Sequence, residues 1–135
     1  MSDPSQLLQT LYLGDRACTG FHLDNNQRRF ALGIDVISRI RTPNRVWNYD
    51  SSEDIVNGQM VFENVTELRF EPSGPLPNDY ILGINIEAVG DRYRFKIAVA
   101  SVDDTGLQTS EVLIIVNATS FYLLDPKNPS VEIRT

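Results

Sequence analysis

Five charged residues in the first third of the chain, Asp15, Arg16, Asp35, Arg39 and Arg41, form the pattern that most resembles a reactive or anion-binding constellation. Asp35 lies between Ile34 and Val36 in an apolar stretch, where an unpaired carboxylate is costly to desolvate and its proton affinity is open to perturbation. On strict strand alternation Arg39 and Arg41 fall on Asp35's side. A hairpin with Asp24-Asn25-Asn26-Gln27 at its tip sets Arg16 directly against Asp35. A structural ion pair is the simplest reading of this grouping. The alternative is a small-ligand-binding or hydrolytic protein that uses the Asp/Arg cluster around Asp35.

The rest of the chemical inventory is thin. One His and one Cys cannot supply a His- and Cys-based zinc or iron site within one chain, so no metal and no cofactor is expected. Asp50-Ser51-Ser52-Glu53-Asp54 offers oxygen ligands but lacks the spacing and central glycine of a calcium loop. His22 falls on the polar side of the first hairpin, opposite Arg29, with no nucleophile motif near it. The glycines are isolated, and none forms a phosphate-binding loop. No catalytic residue is assigned. Trp47 and Tyr49, alternating beside Arg45 in a loop, are candidate interface aromatics, although Trp47 also suits a plug at the end of a core.

The elements that must hold these residues follow from period-two patterning. Leu82, Ile84, Ile86 and Ala88 face Val99, Ile97, Phe95 and Tyr93 across a Gly90-Asp91 turn, with Glu87 against Arg94 and Asn85 against Lys96 on the wetter side. Beyond Asp103-Asp104-Thr105-Gly106, Val112, Ile114 and Val116 continue the apolar face opposite Ile97, Phe95 and Tyr93. The first hairpin sets Phe21, Thr19 and Ala17 opposite Phe30, Leu32 and Ile34. Residues 50–58 read as a loop or single helical turn. Residues 60–70 read as two short strands around Glu63-Asn64, residues 120–124 as a further strand, and Val131 and Ile133 as a last edge strand. Ser2 or Asp3 caps a short helix that carries Leu7, Leu8, Leu11 and Tyr12 on one face before Gly14. The sum is a mainly β chain: a single domain over residues 1–135, an antiparallel β-sandwich or flattened barrel with a short N-terminal helix.

Net charge is −6 and uneven. Residues 1–50 hold six arginines and five acids, net +1, whereas residues 51–135 hold six Lys or Arg and thirteen acids, net −7. Such a surface repels phosphate backbones and attracts basic partners, so a nucleic-acid ligand is not expected. No apolar run is long enough for a membrane span, no signal peptide is visible, and a lone cysteine suits a reducing compartment. A cytoplasmic location is expected.

Tyr12-Leu13-Gly14-Asp15-Arg16, Asp35-Val36-Ile37-Ser38-Arg39-Ile40-Arg41, Trp47-Asn48-Tyr49 and Glu53-Asp54-Ile55 together resemble a family of small, uncharacterised bacterial proteins. The segment from Met60 to Leu68 is similar to a strand-turn-strand piece of immunity-type proteins of bacterial toxin systems. That second likeness implies a non-catalytic protein-binding module, an immunity-type inhibitor that blocks a basic partner such as a toxin by surface complementarity. Self-association through an unpaired sheet edge is a further expectation.

Overall fold

A computed structural model describes residues 3–107 and 109–135. These residues form one short helix and nine strands: α1 (Pro4–Leu8), β1 (Leu11–Tyr12), β2 (Cys18–Asp24), β3 (Arg29–Arg39), β4 (Ile55–Glu63), β5 (Glu67–Glu71), β6 (Ile81–Val89), β7 (Arg92–Val102), β8 (Thr109–Ala118) and β9 (Ser120–Leu124). One sheet runs β1-β3-β4-β9, with β2 also on β3, and the other runs β5-β8-β7-β6. All pairings are antiparallel.

The two sheets are joined at two corners, which curl them into a half-barrel. At the first, β4 passes into β5 through Asn64, whose φ of 53° turns the chain. There Val65 N–H donates to Arg28 and Thr66 N–H to Asn117, while Thr119 alone separates β8 from β9 and donates to Glu63. At the second corner Ala17 bridges Tyr80, with Ile81 N–H donating to Arg16 and Cys18 N–H to Asp79. Between the sheets Phe30, Phe62, Phe95 and Phe121 pack ring on ring, with centroids 4.9–6.2 Å apart for Phe62 and its three neighbours. Leu32, Ile34, Met60, Ile97, Ile114 and Leu123 fill the space around them, fully buried.

The 82–89 hairpin forms as expected from Ile84 onward, including Glu87 opposite Arg94 and Asn85 opposite Lys96. A bulge between Ile81 and Gly83 puts Ile81, not Leu82, opposite Val99 and leaves Leu82 56% exposed. The third strand is displaced by two residues: Val112, Ile114 and Val116 face Val99, Ile97 and Phe95. The first hairpin is also displaced by two, with Phe21 opposite Leu32 and Leu23 opposite Phe30, because the turn lies at residues 25–28 and Arg28 takes the left-handed conformation. A slip of two keeps side chains on their expected faces, but a bulge between Cys18 and Gly20 turns Cys18 into the core and leaves Thr19 exposed.

Three further expectations are corrected. The helix stops at Leu8, where Thr10 N–H and hydroxyl both turn back to the Leu7 carbonyl, and Leu11 and Tyr12 pair with Arg39 and Ser38 as β1 instead. Asp3 caps the helix through Ser5 N–H; Ser2 lies outside the described residues. Residues 55–58 are strand, recruited by β3 across Ile37↔Ile55 and Ile34↔Gly58. Near the C-terminus only a bridge forms, Ile133 with Leu123. Among the described residues no helix is long and apolar enough to cross a membrane.

Candidate functional site

The Asp/Arg grouping comes apart in three dimensions, because the alternation of β3 breaks at Asp35. Ile34 and Ile37, three residues apart, both enter the same core. At the break the Asp35 carboxylate turns to its own backbone: Oδ1 accepts from Ala17 N–H at 2.9 Å and Val36 N–H at 2.8 Å. The expected Arg16–Asp35 pair is not formed. Arg16 instead donates from Nη2 to the buried Ser38 hydroxyl at 2.7 Å. Asp15 sits in an exposed left-handed turn, with φ 58°. Arg39 donates to Thr10 Oγ1, and Arg41 grips Glu53 with two bonds of 2.9 and 3.0 Å. That pairing holds Glu53 below the usual carboxylate range. Of the five only Arg39 and Arg41 stay together, lining one cavity, while Asp15, Arg16 and Asp35 serve separate local structures and Asp35 is a backbone clasp.

Arg16 brings in an aromatic ladder instead. Its guanidinium lies 5.8 Å from the Tyr12 ring centroid and 5.5 Å from that of Trp47. Trp47 stacks on Tyr12 at 4.2 Å and meets Tyr49 at 4.7 Å. Trp47 is half-buried by these rings and does not plug the core, while Tyr49 at the outer end is 80% exposed. The segment 46–49 that carries both aromatics is not a strand; Arg45 and Tyr49 take left-handed φ values that break any extended run. Tyr12 was hidden from sequence reasoning because the rings it meets lie far along the chain.

The Tyr12 ring borders Gly14, and Gly14 in turn lines an apolar groove of about 300 Å³ together with Leu8, Leu11, Leu13, Leu82 and Ile84. The groove ends on β6, the last strand of its sheet. Across the two-residue turn, where Gly90 has φ 62°, Val89 and Arg92 are the closing hydrogen-bonded pair. Hydrogen-bonded and non-bonded pairs alternate from there, so Val89, Glu87 and Asn85 bond to β7 while Ala88, Ile86 and Ile84 turn N–H and C=O outward. Among the described residues these outward groups have no backbone partner. Of the other edges, β9 is covered by Ile133, Arg69 between Glu67 and Glu71 guards β5 with charge, and β2 is covered only at its start, where Cys18 N–H donates to Asp79. On β6 the one charged side chain is Glu87.

Burial pushes the Cys18 thiol up to about 11, so it is protonated and unreactive at neutral pH. His22 is exposed, opposite Ala31 and not Arg29. Asp50 accepts from Ser52 N–H within its own loop. Among the described residues no group of three His, Cys, Asp or Glu is placed to hold a metal.

By architecture the chain is an antiparallel β protein whose two sheets curl into a half-barrel around an aromatic core. Over residues 1–135 it matches the family of unknown function DUF6258, and it belongs to that family. No curated protein and no solved structure matches it.

Proposed function

We propose that the chain is a non-catalytic protein-binding module that takes up an extended segment of its partner along the free edge of β6. The carrying observation is the unpaired β6 edge, flanked by the groove whose Gly14 borders the Tyr12 ring of the Tyr12–Trp47–Tyr49 ladder. Main-chain bonds from Ile84, Ile86 and Ala88 give such a complex its register, and pockets beside the edge give it specificity. Trp, Tyr and Arg are the residue types that most often anchor interfaces. The excess of acids over residues 51–135, net −7, favours a basic partner through long-range attraction to the chain as a whole. An immunity-type inhibitor that blocks a basic toxin is one protein of this kind.

The test is Ala88→Pro, since proline is tolerated on an edge strand where the missing N–H faces solvent and leaves the β6–β7 ladder intact. Affinity capture is run in parallel with the wild-type chain, Ala88→Pro and Ala88→Val. A basic protein held by the wild type and Ala88→Val, and bound about tenfold or more weakly by Ala88→Pro, is the expected result. A partner held equally by all three contradicts the proposal. So does a homodimer in sedimentation that Ala88→Pro dissolves, which would assign the edge to a second copy.

A further inference from the structure

A second feature lies away from β6, where a cavity of about 340 Å³ is lined by Arg39, Arg41, Glu53, Asp54, Asp125 and Ile133 among others. Arg39 is only 5% exposed, yet among the described residues it forms no ion pair, and its Nε has no acceptor. Its one hydrogen bond goes from Nη2 to the neutral Thr10 hydroxyl. A buried guanidinium without an anion is unfavourable, and Arg41 nearby adds repulsion. Glu53 offsets part of this charge but is already held by both bonds from Arg41. On the same cavity Asp54 has the opposite shortage: its Oδ1 is buried and receives no donor. Asp125 adds a second carboxylate.

We infer that this cavity binds a small zwitterion of the α-amino-acid class, its carboxylate on Arg39 and its ammonium on Asp54. An anion alone would leave the Asp54 oxygen unmatched, and a cation alone would leave the Arg39 guanidinium unmatched. The planar guanidinium is the group best suited to a carboxylate. The volume lies at the lower end of the roughly 300–1,000 Å³ typical of small-molecule pockets, which fits a ligand of amino-acid size. Arg39 Nε and Asp54 Oδ1 are shut off from solvent, so binding includes a turn of each side chain toward the cavity.

Calorimetry and thermal denaturation of the purified full chain test this with glycine, alanine, glutamate and lysine as free amino acids, and with acetate and methylammonium as half-ligands. At least one amino acid is expected to saturate and raise Tm, while neither half-ligand does so at the same concentration. Arg39→Lys keeps the charge and Asp54→Asn keeps the shape; each is expected to weaken binding about tenfold or more. The inference fails if none of the four amino acids binds, which would leave the cavity to ordered water. It also fails if acetate or methylammonium acts as strongly on the wild type, or if binding survives both substitutions.

Discussion

Phe62→Ala is expected to lower the stability of the chain by about 3–5 kcal/mol, the range for truncating a buried aromatic. Phe62 is fully buried on β4 and touches the rings of Phe30 on β3, Phe95 on β7 and Phe121 on β9, so its loss opens the space between both sheets at once. The surrounding strands collapse into the gap only in part, because the corner at Asn64 and the bridge between Ala17 and Tyr80 fix the two sheets to each other. Urea denaturation measures the loss as a lower midpoint at an unchanged slope. A change below about 1 kcal/mol would show that the sheets are not packed through this ring.

The second large effect is expected at Asp35. Truncation to alanine removes the acceptor of two main-chain N–H groups where β3 changes face, and each unpaired amide costs about 1–3 kcal/mol in a part-buried setting. A total loss of about 2 kcal/mol or more is expected for Asp35→Ala. Asp35→Asn keeps the amide oxygen as acceptor and is expected to lose less than half as much. If Asp35 were instead held in a charge pair, the two substitutions would be similarly damaging. Equal losses in denaturation would therefore contradict the clasp.

These two residues also mark the boundary of what could be seen without coordinates. The strand around Phe95 is legible because apolar residues alternate there, and a two-residue slip in register leaves that alternation intact, whereas the first half of Phe62's strand, 55–58, reads as loop. The slip itself was invisible, since Val112 opposite Val99 and Val112 opposite Ile97 are equally apolar pairs. Asp35 stands out in the sequence as a carboxylate in an apolar strand, but the sequence does not show what it bonds to. Strict alternation placed Arg16 against it, whereas the strand breaks its period between Ile34 and Ile37 and supplies backbone amides instead. Trp47 and Tyr49 were marked as aromatics of interest, yet the Tyr12 that completes their ladder comes from a β1 strand read as helix. The bare edge of β6 depends on strand order, and strand order is a property of long-range pairing that no local pattern encodes.

Amide hydrogen exchange across β6 is the most direct test of strand addition. In the free chain the amides of Ile84, Ile86 and Ala88 are expected to exchange fast, while those of Asn85, Glu87 and Val89, bonded to β7, are protected. Adding the partner captured by the wild-type chain is expected to slow Ile84, Ile86 and Ala88 together and leave the alternate residues as they were. Protection that appears elsewhere on the surface, with these three amides still exchanging fast in the complex, would contradict the account.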